Sequence, residues 1–246
     1  MAEMLSSLAS DLVVLPELFA TGYFFESTEQ AKALSESVPD GPTTRQLERW
    51  ARETGFTIVA GVPERDGDAL YNSAVVITPK GWLGTYRKTH LFYEETLHFQ
   101  PGDSGFQVWS VTDRSGASYR LGVMVCFDWL FPEAARTLAL KGADVIAHPS
   151  NLVLPHCPRS MPVRALENGV YTATANRIGS ETHGDETLTF IGQSVICSPG
   201  AEVLASAPTA EAAVISAEVD IRTARETAIN RYNDRRTDRR PDLYAS

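Results

Sequence analysis

The chain has 246 residues, 43% hydrophobic and 22% charged, an ordinary composition for a soluble globular protein able to bury a sizeable core without metal or disulfide help. Its formal net charge of −9, from 22 basic and 31 acidic residues, argues against nucleic acid or an anionic membrane as partner, since both need a positive surface. No stretch is long and apolar enough to cross a bilayer, and the start lacks a basic leading region and is interrupted by Glu3 and Asp11, so it does not read as a secretory signal.

Strand-like runs occur at 12–15, 56–60, 74–77, 81–86, 106–111, 121–125, 145–147, 171–175, 194–197 and 213–219. Helices fall between some of them. Pro42 opens a segment ending near Gly55, and Pro132 opens one that stops at Gly142. Turn residues at Pro79-Lys80-Gly81 and Ser198-Pro199-Gly200 join neighbouring strands as hairpins. Hairpins together with helical crossovers imply mixed sheets, and so many strands imply two sheets face to face with helices outside. There is no internal repeat, low-complexity tract or composition break, so residues 1–246 are expected to form one domain. The basic cluster at 233–244 is interleaved with aspartates and reads as a solvated or self-paired tail.

Three cysteines, at 126, 157 and 197, are odd in number and widely spaced, which makes no disulfide framework and fits a reducing cytoplasm. His156 beside Cys157 lacks the paired spacing of a zinc site, and no metal is expected. Cys126 stands where the apolar run 121–125 hands over to the helix opened by Pro132. Such an elbow is an exposed place for a nucleophile, and a helix N-terminus or nearby cation there favours the thiolate. Taken alone, the residue reads rather as a small buried hydrophobe, the reading kept for Cys157 and Cys197.

Two further charged residues end apolar runs. Glu17 follows 11–16, where Pro16 stops the strand and leaves the carboxylate at its end in LPELFATGY. Lys88 follows the strand-like run 81–86 in YRKTHLF, with Arg87 as a neighbouring alternative. A base, a cation and a thiol together meet the needs of attack on an amide or nitrile carbon.

The strings LPELF (15–19), YRKTHLF (86–92) and VMVCFDWLFPE (123–133) resemble the nitrilase/amidase superfamily of carbon-nitrogen hydrolases, whose members carry a Glu-Lys-Cys triad in this order. The resemblance runs from about Asp11 to Tyr244 and implies an α/β fold, a four-layer αββα sandwich of two mixed sheets that pairs across subunits as a homodimer or larger homo-oligomer. It assigns Glu17 as general base, Lys88 as the cation facing thiol and oxyanion, Cys126 as nucleophile and Glu95, in preference to Glu94, as a second glutamate orienting the lysine. HPSNLVLP (148–155) resembles a pocket wall, with Asn151 either bound to substrate or holding its own turn. The N–H of Phe127, next after the nucleophile, is the expected second oxyanion donor. Neither metal nor organic cofactor has a role in such a reaction.

The surroundings CFDWLFPE are closer to amidase-type and small aliphatic-nitrilase-type members, so a small amide is the expected substrate, with an aliphatic nitrile or N-carbamoyl amine as alternatives. A catalytically silent binding or assembly module, or a redox-responsive thiol protein, are readings from other classes. Family members begin with a short strand and a longer helix ahead of the first matching strand, whereas about ten residues precede it here, so that first strand is expected to be missing.

Overall fold

Strand side chains alternate between two faces, and here both faces are covered. The computed structural model describes residues 9–244. Its first elements are β1 (Leu12–Val14), α1 (Thr28–Leu34), α2 (Pro42–Thr54), β2 (Thr57–Asp66), β3 (Ala69–Thr78), β4 (Gly81–Arg87), α3 (Glu95–His98), β5 (Val108–Thr112) and β6 (Ser118–Val123). After them come α4 (Pro132–Leu140), β7 (Val145–Pro149), α5 (His156–Asn168), β8 (Tyr171–Ala175), β9 (Ile178–His183), β10 (Glu186–Ile191), β11 (Val195–Cys197), β12 (Val203–Ser206) and α6 (Ile221–Arg225).

One sheet has the order β1-β2-β3-β4 and the other β12-β11-β8-β7-β6-β5, while β9 and β10 make a separate hairpin. Both large sheets are mixed. β1 is parallel to β2, and β6, β7 and β8 run parallel, with the remaining neighbours antiparallel.

Alternation explains the layers. Ile58, Ala60 and Val62 of β2 pack with Leu47 and Ala51 of α2, whereas Val59, Ala74 and Val76 share a buried cluster with Leu121, Val123 and Ala147 of the other sheet. Between Leu121 and Val123, Gly122 faces outward, where an added Cβ would lie 3.1 Å from Leu138 of α4. Helix, sheet, sheet and helix thus stack in that order, burying apolar side chains at each contact.

β2 runs well past Ala60 because the two breakers in it are accommodated. Pro63 lies beyond the β1 ladder, and its carbonyl accepts from Glu36 N–H at 3.0 Å, so the edge without an N–H faces away from β3. One expectation needs correcting. Residues 213–219 form no strand ladder among the described residues, and Val214 and Val219 are exposed. The segment after Pro155 is the helix α5, despite Pro162 inside it. The expectation of an absent first strand concerns in part residues 1–8, which lie outside the described residues; β1 pairs with β2 alone among those described. The basic tail is partly self-paired, as in Arg240–Asp242 at 3.1 Å.

Candidate active site

Two tight turns at strand ends position Glu17 and Cys126. After β1 the chain passes over Gly61, where a Cβ would come within 2.5 Å of Glu17 Cα, so only glycine lets the Glu17 backbone lie there. Leu18 then turns with φ of 46°. After β6, Cys126 turns with φ of 43° into a short 3-10 helix, Cys126–Leu130, ahead of α4. Positive φ is costly for a side-chain-bearing residue and is kept where surrounding structure demands it.

Glu17, Lys88 and Glu95 form one buried, hydrogen-bonded cluster. Lys88 Nζ donates to Glu17 Oε1 at 2.7 Å and to both oxygens of Glu95 at 2.6 and 2.8 Å. Asn72 Nδ2 donates to Glu17 Oε1 at 2.7 Å and to Glu95 Oε2 at 3.3 Å. Tyr23 OH donates to Glu95 Oε1 at 2.6 Å. Glu17 Oε2, also buried, has no hydrogen-bond partner among the described residues, which leaves an acceptor open for a proton. Glu94 is only partly buried and takes no part in the cluster, whereas Glu95 is buried in it.

Two carboxylates against one ammonium leave an excess negative charge in a region without water-like screening. Burial therefore pushes the Glu95 carboxyl up to about 7, against the opposing attraction of Lys88. Burial acts to lower the Lys88 value, but Glu17 and Glu95 outweigh it, so the ammonium form is held beyond its ordinary range. The Cys126 thiol is pushed well above its ordinary value, first by burial and then by Glu17, with Lys88 and the Asn151 N–H acting against them. That corrects two expectations: the elbow is buried, with Cys126 only 4% exposed, and its surroundings favour the thiol over the thiolate. The cation that was expected to favour the thiolate is already occupied by two carboxylates.

Asn151 is brought into the site, and the bond its amide makes is not to its own turn. Its Nδ2 donates to the Glu17 backbone carbonyl at 2.9 Å, tying the loop after β7 to the loop after β1. Phe127 lies on the elbow, its ring 5.1 Å from that of Phe92 and 5.5 Å from that of Phe131.

Tyr23, Asn72 and Asp128 were not singled out from sequence. Asp128 is fully buried and accepts from Val125 N–H and Tyr86 OH at 2.8 Å each and from His90 N–H at 3.1 Å, fastening the cysteine elbow to the lysine segment. A polar residue inside an apolar strand, as Asn72 is in ALYNSAVVIT, signals a buried group needing partners. Tyr23 carries no such signal.

A model of the carbon-nitrogen hydrolase family matches residues 1–229. A nitrilase of Pyrococcus abyssi is 54% identical, the match covering 97% of this chain and 88% of the relative. An N-carbamoylputrescine amidase of Solanum lycopersicum is 34% identical, covering 96% and 83%. Among solved structures, a mutant of an amidase from Nesterenkonia sp., showing covalent addition of the acetamide moiety of fluoroacetamide at its active site cysteine, aligns with a TM-score of 0.69 at 29% identity, covering 85% of this chain and 77% of that one. With the matched family model, these relatives and the sheet-on-sheet fold, the chain belongs to the carbon-nitrogen hydrolase family and is a hydrolase of the nitrilase superfamily.

Proposed function

We propose that the protein hydrolyses the carbon–nitrogen bond of a small amide through an acyl thioester on Cys126, releasing acid and ammonia. The observation that carries this reading is the buried Glu17–Lys88–Glu95 cluster, with one Glu17 oxygen unpartnered among the described residues and with Glu17 and Lys88 both acting on the Cys126 thiol. Glu17 takes the Cys126 proton as sulfur attacks the carbonyl carbon, and the oxyanion is held by Lys88 and the Phe127 N–H. Glu17 returns the proton to nitrogen, the C–N bond breaks and ammonia leaves. A water then gives its proton to Glu17 and attacks the thioester, and sulfur leaves with that proton as the acid is released. Glu95 keeps Lys88 charged and in place. Asn151 positions Glu17 through its backbone.

A second reading is an aliphatic nitrile, favoured by the 54% identity to a protein named nitrilase; the first adduct is then a thioimidate, and a further water gives the same acid. An N-carbamoyl amine is supported in the same way by the amidase of Solanum lycopersicum. Three free, buried cysteines fit a reducing compartment such as the cytoplasm. Exposed Leu140 on α4 and Val163 and Leu166 on α5 support assembly into a homo-oligomer through the outer helices. Ammonia release across a panel of short amides, aliphatic nitriles and N-carbamoyl amines tests the function. Activity is expected on at least one amide, and silence across the panel from folded protein would favour a binding module.

A further inference from the structure

His148, fully buried near the end of β7, touches the nucleophile's own peptide rather than its side chain. Its Nε2 lies 2.9 Å from the Cys126 carbonyl oxygen. A carbonyl can only accept, so Nε2 carries the proton, and Nδ1 accepts from the Thr174 hydroxyl at 3.0 Å. The Ser150 hydroxyl oxygen stands 3.2 Å from the same Nε2. Burial lowers the imidazole to about 4, which keeps this neutral, single-tautomer arrangement intact at neutral pH.

The bond matters because of what lies across the peptide plane. Cys126 sits at positive φ, a conformation that needs holding. The Cys126 carbonyl and the Phe127 N–H belong to one planar trans peptide and point in opposite directions. Fixing the oxygen therefore fixes the direction of the N–H. We infer that His148 is a positioning residue that aims the Phe127 N–H at the oxyanion, through the chain Thr174 hydroxyl, His148 imidazole and Cys126 carbonyl. The inference rests on the proposed role of Cys126 and Phe127 in turnover. His148 itself meets no reacting atom, and it exchanges no proton during the reaction.

The test compares two reactions of the same thiol. Amide hydrolysis passes through an oxyanion, whereas alkylation by iodoacetamide forms a C–S bond, expels iodide and develops none. His148→Leu is expected to lower kcat about 10- to 100-fold, short of the roughly 100- to 1000-fold loss seen when an oxyanion donor is removed outright, because the donor is misaimed rather than lost, with KM nearly unchanged. Its rate of Cys126 alkylation should stay within about threefold of wild type, the difference expected when only oxyanion stabilisation is lost. His148→Gln, whose amide nitrogen can reach the Nε2 position and donate, should recover most of the lost kcat. Should His148→Leu fail to fold, Thr174→Val serves instead, and is expected to show the same split at smaller size. Turnover and alkylation falling in parallel, with Gln no better than Leu, would reduce His148 to a packing residue and overturn the inference, as would an unchanged kcat. Wild-type alkylation at Cys157 or Cys197 instead of Cys126 would overturn the underlying mechanism, an outcome distinguishable by peptide mapping.

Discussion

Glu95 grips Lys88 through both carboxylate oxygens, at 2.6 and 2.8 Å, with neither residue open to solvent. A buried ammonium cannot stay charged without such a partner, and the lysine's charge is what an oxyanion needs. Glu95→Gln keeps the shape of the side chain and removes its charge. The variant is expected to fold with a single cooperative transition while kcat falls about 100-fold or more. Steady-state kinetics beside thermal unfolding checks this, and a kcat within about threefold of wild type would remove Glu95 from the mechanism.

Two buried groups give the stability opposing dependences on pH. Glu95 has a folded value of about 7 against 4.5 ordinarily, so its contribution is present below 4.5 and is lost as pH rises towards 7. His148 has a folded value of about 4 against 6.5, pressed down by burial and by Lys88 while Asp128 and the Cys126 carbonyl act the other way. Its contribution is present above 6.5 and is lost as pH falls through 4. On acidification from pH 6.5 to 4.5, the urea midpoint should fall further in Glu95→Gln than in wild type and less far in His148→Gln. The same change in all three proteins would contradict both assignments.

Gly61 has no room for a side chain, since a Cβ there would sit 2.5 Å from Glu17 Cα and from Leu18 N. These are backbone atoms at a turn already held at positive φ, so relief must come from moving Glu17. Gly61→Ala should cost about 1–3 kcal/mol of stability. It should also lower kcat about 100-fold, because a displacement near 1 Å is enough to misplace a catalytic group. Urea unfolding and kinetics on one preparation separate the two effects, and a fully active variant would show that the Glu17 turn is soft.

Much of this arrangement is legible in the sequence because apolar runs ending in Glu17, Lys88 and Cys126 place each residue at a strand end, the first two in one sheet and the third in the sheet packed against it. Tyr171–Ala175 and the helix opened by Pro42 are likewise plain from local pattern. The β9–β10 hairpin was missed, although Gly184-Asp185 between paired His183 and Glu186 is a two-residue turn signal; its strands are too polar and exposed to stand out. Residues 213–219 alternate as a strand does, yet a strand exists only through its neighbours, and none of the described residues pairs with them. The raised thiol was also out of reach, since it depends first on the burial of Cys126 and then on Glu17, whose effect Lys88 only partly opposes, facts of geometry rather than order.

The central claim is that Cys126 carries the acyl group. Intact-mass measurement on protein quenched with acid during turnover of the best small amide, followed by peptide mapping, tests it directly. Wild type should show the mass of one acyl group on the peptide containing Cys126, and Cys126→Ala should show none and release no ammonia. An acyl adduct that survives Cys126→Ala, mapping to Cys157 or Cys197, would contradict the account.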